Sequence, residues 1–313
     1  MRDIALPLPL LRAFMGPLYR LSFDHRLPFR VQRALIDAAS VLQPVPAGVR
    51  VEKLRLGGRP AERLAPRAPA ATDPAAVLYL HGGGNTVGSL ATHRSLNGRL
   101  AAATGLPVYA IDYRLAPEHP YPAALDDAEA AYLELVAEYG YRPERIAIAG
   151  DSAGGGLSLA LAQRLIARHG HIPAALGLIA PWVDPNQLSE RPRDLVVNGP
   201  WSRACAAAYL GGGDCDDPGY APLHGVLAGL PPVYVQADID ELLHPQCVDL
   251  TAALRAAGVE AEFTESRGLW HVAQLQAGFV APAAAVLGEM AVFLRHAMDG
   301  QPASDIGWTD QDS

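Results

Sequence analysis

The chain has 313 residues, half of them hydrophobic, with 19% charged and a formal net charge of −8. That length and apolar content are enough to bury the core of one large or two ordinary domains, which excludes a disordered chain. The acidic balance, 33 Asp and Glu against 25 Lys and Arg, argues against a nucleic-acid partner, because such binders present a basic face.

Residues 1–46 read as an amphipathic helical segment. Leu10, Leu11, Phe14, Leu18, Tyr19 and Leu21 recur at three- to four-residue spacing, and Val31 to Ile36 form a second patch. The opening Met1 to Leu11 superficially imitates a secretory leader. It carries Asp3, Pro7 and Pro9, is followed by Arg12, and has no small-x-small cleavage site. No uninterrupted apolar run approaches the ~18 residues of a membrane span. Cys205, Cys215 and Cys247 are an odd number with no CxxC pairing, which reads as reduced structural thiols and a cytoplasmic location.

From Val49 the texture changes. Val49 to Leu56 alternates at period two and ends at Gly57-Gly58, a strand and a turn. Pro69 to Ala75 is a small-residue connector. Short apolar runs then follow at 76–80, 107–111, 146–149, 176–179 and 233–237, with a further strand predicted over 260–265. Continuous hydrophobicity of this kind suits strands buried on both faces of a parallel sheet. Helical patterns lie between them, near 92–104, 123–139, 153–169 and 246–257, with a last one near 282–298. The alternation predicts an α/β fold, a mostly parallel central sheet with helices on both faces. Residues 186–222 are irregular around a short helix at 202–210 and read as an insertion. The expected division is a helical cap at 1–46, a catalytic domain at 47–298 and a polar tail at 299–313.

The chemistry starts at Gly150-Asp151-Ser152-Ala153-Gly154, a G-x-S-x-G sequence directly after an apolar strand and opening a helical run. A sharp strand-to-helix turn there would push the serine out at the carboxyl edge of the sheet, with the helix N-terminus behind it. His81-Gly82-Gly83-Gly84 follows another strand, and glycines let backbone N–H groups approach an oxyanion closely. His81 precedes the serine and reads as structural. Downstream, His169, His171, His224, His244, His271 and His296 compete for the base. His271 follows the strand predicted at 260–265 and a short loop, which puts it at the same sheet edge as Ser152. The acid must come from Asp238, Asp240 or Glu241, all just beyond the strand at 233–237. Asp240, two residues past that strand, is favoured as able to turn back towards His271.

These residues resemble the bacterial branch of the hormone-sensitive lipase family of α/β-hydrolases. The carrying motifs are His81 to Gly84, Gly150 to Gly155, and Tyr113 to Ala124, with Asp240 and Trp270-His271-Val272. The resemblance covers about residues 50–298. It implies the α/β-hydrolase fold with a small helical cap, and a two-step acyl transfer on Ser152 with His271 as base and Asp240 as orienting acid. It also implies backbone amides of Gly83, Gly84 and Ala153 as the oxyanion hole, and Glu118 and His119 as packing residues. The implied activity is a carboxylesterase for short- to medium-chain esters, with no metal and no cofactor. Lactonase or amidase action on the same triad is the alternative, and a non-catalytic binding member of the fold a further one, which the histidine at 271 argues against. Two departures stand out. Asn85-Thr86 replaces the usual aromatic and apolar pair after the glycine loop, and His244 replaces a second acid. Asn85 and Trp270 are expected to contact the substrate. The expected partner is a small-molecule ester, with no nucleic acid and no stable membrane insertion, and the protein is expected to be a monomer or homodimer.

Overall fold

The computed structural model describes residues 7–41, 43–67, 74–187, 189 and 191–299. Most of the expected connector, the first residues of the chain and the tail beyond Asp299 lie outside these.

Eight strands form one sheet: β1 (Val49–Leu56), β2 (Arg59–Pro66), β3 (Ala76–Leu80), β4 (Val108–Ile111), β5 (Ile146–Asp151), β6 (Leu176–Ile179), β7 (Val233–Asp238) and β8 (Ala261–Ser266). Their spatial order is β1-β2-β4-β3-β5-β6-β7-β8, with β1 and β2 antiparallel to their neighbours and the other six parallel. The sequence pattern predicts a turn after Leu56 and no strand behind it. Arg59–Pro66 escapes pattern reading because it has no β-branched residue, begins Arg-Pro and does not alternate cleanly in burial. Pairing on both sides, not local propensity, makes it a strand.

The helices are α1 (Leu8–Ser22), α2 (Phe29–Ser40), α3 (Leu90–Thr104), α4 (Ala123–Ala137), α5 (Ala153–His169), α6 (Gly199–Leu210), α7 (His244–Ala256) and α8 (Ala281–Met298). Alternate side chains of the central strands feed two cores. Leu78, Leu80, Ile146 and Ile148 pack with α4, α5 and α7, whereas Val77, Tyr79, Ala147 and Ala149 pack with α3 and α8. This is why those strands read as unbroken apolar runs. Helix boundaries follow local chemistry. Ser89 and Thr92 close a reciprocal capping box at the start of α3, and Gly105 ends that helix in the left-handed conformation.

A third apolar cluster lies over the carboxyl edge of the sheet. It joins Leu11, Met15 and Tyr19 of α1 to Phe23, Trp201 and Cys205 of α6, and Trp270. Trp201 donates its indole N–H to Gln32 at 2.7 Å, and Asn198 donates to the Phe23 carbonyl at 3.0 Å, tying α6 to the N-terminal helices. Among the described residues no helix is long and apolar enough to cross a membrane.

Candidate active site

β5 ends in the turn that carries Ser152. Its backbone sits at φ 51°, ψ −123°, a left-handed conformation that is uncommon for a residue with a Cβ. The turn closes only because its neighbours are small. A Cβ on Gly154 would lie 2.1 Å from the Leu80 carbonyl and 2.4 Å from that of His81. Gly154→Ala is therefore expected to cost about 3 kcal/mol, an overpacking penalty against immovable backbone, read as a lower denaturation midpoint.

The loop after β8 returns His271 to this elbow. Ser152 Oγ lies 2.9 Å from His271 Nε2, although the two residues are 119 positions apart. Behind the imidazole the partner is Glu241, whose Oε2 is 3.4 Å from Nδ1. That contact is long for a hydrogen bond, yet neither Nδ1 nor Glu241 Oε1 has any other partner among the described residues. Both side chains are buried, Glu241 at 1% exposure. Burial raises the Glu241 carboxyl above its usual range, and the facing imidazole offsets that only in part. For His271, burial pulls the imidazole down, but the bond and charge of Glu241 outweigh it and hold it above its ordinary value.

Asp240 does not take the place expected of it. Its carboxylate is 62% exposed and faces Arg191 at 3.7 Å, on the outside of the loop. The cause is a tight turn after β7: the Glu241 N–H donates to the Asp238 carbonyl at 3.0 Å. Ile239 and Asp240 occupy the corner of that turn, so Asp240 points outward and the next residue comes back over the sheet edge. Asp238 is buried but already committed. It accepts from the Asp240 and Leu269 N–H groups and the Ser266 hydroxyl at 2.8–3.0 Å, bracing the loop that carries His271.

The glycine loop is bolted to the elbow through Asp151. The Asp151 carboxylate accepts the Gly82 N–H at 3.1 Å and the Tyr79 hydroxyl at 2.9 Å, and lies 3.1 Å from His93 Nε2. His81 stacks on Tyr113 with ring centroids 4.2 Å apart, and its ring Nδ1 sits 2.9 Å from the Gly82 carbonyl. Burial, with His93 nearby, lowers the His81 pKa to about 3, so its imidazole stays neutral. The amides of Gly83, Gly84 and Ala153 are engaged by no other group among the described residues. Arg33 of α2 clamps the far side of the loop. It donates to the carbonyls of Thr86 and Ala116 at 2.7 and 2.8 Å and forks onto Glu118. Arg33 and His93 hold this region without any mark in the sequence, and Glu241 stood among the three acid candidates without being the favoured one.

Above Ser152 opens a cavity of about 900 Å³, lined by Gly83, His271, Phe279 and a row of apolar side chains from α1. Asn85 and Trp270 are not part of that lining. Asn85 is buried beneath the loop, where its carbonyl accepts from the Ala116 N–H at 2.9 Å. Trp270 is buried in the third cluster and donates to Gln276 at 3.0 Å. Trp270 stands next to the lining residue His271 in sequence, but its side chain points into the cluster, and Asn85 is turned under the loop. The other histidines are placed elsewhere. His169 pairs with Glu129, His224 with Asp184 and His244 with Glu265.

A family model described as the alpha/beta hydrolase fold matches residues 77–275. An acetyl-hydrolase of Streptomyces hygroscopicus is 40% identical over 209 residues, 65% of this chain and 70% of the relative. An esterase of Acinetobacter venetianus is 33% identical over 267 residues, 83% of this chain and 87% of the relative. The crystal structure of an esterase from the bacterial hormone-sensitive lipase family superposes with a TM-score of 0.85 at 36% identity, over 92% of this chain and 98% of that one.

Proposed function

The chain belongs to the hormone-sensitive lipase family of α/β-hydrolases and is a carboxylic ester hydrolase, and on that premise we propose that Ser152, His271 and Glu241 form its catalytic triad. The observation that carries the assignment is the continuous contact from Ser152 Oγ through the imidazole to the buried Glu241, at the floor of an apolar cavity. In this reading His271 Nε2 takes the serine proton as Oγ attacks the ester carbonyl, and Glu241 holds the ring in the required tautomer and stabilises the imidazolium. The oxyanion is received by the amides of Gly83, Gly84 and Ala153, each contributing ~3 kcal/mol in the transition state. The imidazolium returns its proton to the leaving alcohol, and water then cleaves the acyl-enzyme through the same base. The experiment is rapid mixing with p-nitrophenyl butyrate, expected to give a stoichiometric burst, with the acyl group located on Ser152 by mass spectrometry. Acylation elsewhere, or no acylation, would sink the assignment.

We assign α1, α2 and α6 the role of a cap, since they roof the cavity, and short- to medium-chain acyl esters the role of substrate. The apolar wall supports this. Each acyl CH₂ that reaches it gains at most ~0.8 kcal/mol, or about fourfold in kcat/KM, until the chain meets the rim. A series from acetyl to decanoyl esters should therefore rise and then level off, and a flat series would contradict the assignment. Cytoplasmic placement belongs to the same proposal and is supported by the three free cysteines.

The raised His271 value fixes a pH dependence. The base works only when neutral, so kcat/KM should be full at alkaline pH and fall as pH drops through a value above the ordinary 6.5 of histidine. In Glu241→Gln the negative charge that raises it is gone, so the acid limb should move to lower pH. An unmoved limb would show that another group sets it.

A further inference from the structure

The cap carries an apolar stripe on its outer side. Leu10, Phe14, Pro17 and Leu21 of α1 are exposed, the three larger ones at 65%, 66% and 57%. Their spacing of four, three and four residues aligns them along one line of the helix, opposite the buried Leu11, Met15 and Tyr19. Of the ten large apolar side chains that stand exposed among the described residues, five lie between Leu10 and Val41. The rest are scattered, as on any soluble surface.

Two further observations say what covers the stripe. Leu10 and Phe14 also line the cavity above Ser152, so the exposed face runs without a break into the substrate site. The charge of this segment is reversed as well. Residues 7–41 hold five arginines and two aspartates, a net +3, in a chain of net −8. Arg20, Arg26 and Arg30 are exposed there. A second copy of the chain would bring two positive caps together. An anionic lipid layer instead attracts the cap, repels the remaining acidic surface and accepts the apolar stripe.

We propose that α1 docks on the surface of an anionic lipid layer, with the cavity mouth against it, so that apolar esters dissolved in the layer pass along Leu10 and Phe14 to Ser152. The attachment is peripheral, an apolar stripe on a segment that also exposes three arginines, and not a span. It rests on the esterase reading only for its use, since docking itself needs no catalysis.

The test is co-flotation with phosphatidylcholine vesicles that contain phosphatidylglycerol, beside vesicles of phosphatidylcholine alone. Binding to the anionic vesicles is expected, at least ~10-fold weaker on neutral ones and lost at about 0.5 M sodium chloride. Arg20→Glu/Arg26→Glu/Arg30→Glu and Leu21→Ser lie outside the cavity. They should lose flotation, and with it ~10-fold or more of the turnover on a medium-chain ester, p-nitrophenyl decanoate, carried in the vesicles, while keeping turnover of soluble p-nitrophenyl butyrate. Failure of the parent protein to float, equal binding to neutral vesicles, flotation unmoved by these substitutions, or a solution dimer cross-linked through α1 would each overturn the docking surface. Loss of soluble-ester turnover in the parent would strike the active-site assignment instead, and leaves the flotation result to stand by itself.

Discussion

Ser152→Ala is expected to lower kcat for p-nitrophenyl esters by ~10⁴-fold or more while leaving thermal unfolding close to that of the parent. In the proposed triad the serine, imidazole and acid act as a unit, so removing the nucleophile leaves the base with nothing to activate and the loss is large. What remains is the oxyanion site and substrate binding alone. Stability should hold because Oγ makes its contact to His271, not to a structural group, and the elbow strain is set by the backbone. The measurement is single-turnover acylation with an activated ester, beside a denaturation curve. A variant that kept more than about a hundredth of the parent rate with its fold intact would be inconsistent with an obligate nucleophile.

Glu241→Gln carries the second largest effect. The amide keeps the shape but loses the negative charge that holds the His271 tautomer and stabilises its protonated form, so kcat should fall ~10³- to 10⁴-fold. The unfolding midpoint should not fall with it. A buried carboxylate whose pKa is raised by burial costs the folded state, and a neutral isostere relieves that cost. Loss of rate without loss of stability separates an orienting acid from a merely structural one. Asp240→Asn is the control, expected to stay within about twofold, since its carboxylate faces solvent and an exposed Arg191. Asp238→Asn is expected to lower activity and the unfolding midpoint together, because its two oxygens anchor three donors around the His271 loop. Should Asp240→Asn lose the rate and Glu241→Gln keep it, the acid assignment is wrong.

Much of this architecture is legible in the order of residues, and the reason is locality. Short apolar runs separated by helical periodicity specify a sheet covered on both faces, because each strand must bury both sides. The elbow at Ser152 is written in five consecutive residues, where only glycine tolerates the approach of the Leu80 carbonyl. Chain order and sheet-edge position single out His271 among six histidines, since both follow from where strands end. Tertiary structure alone decided the rest. Asp240 and Glu241 are adjacent and chemically alike, and a one-residue advance around the turn after Asp238 decides which of them faces the imidazole. Asn85 and Trp270 sit beside site residues in sequence but point into packing, while the cavity wall comes from α1, more than a hundred residues from Ser152. β2 is a strand because both its edges are paired, not because its residues favour it. Backbone requirements are local and leave a sequence mark; the direction of a side chain at a turn and the packing of distant helices are settled only when the chain closes on itself.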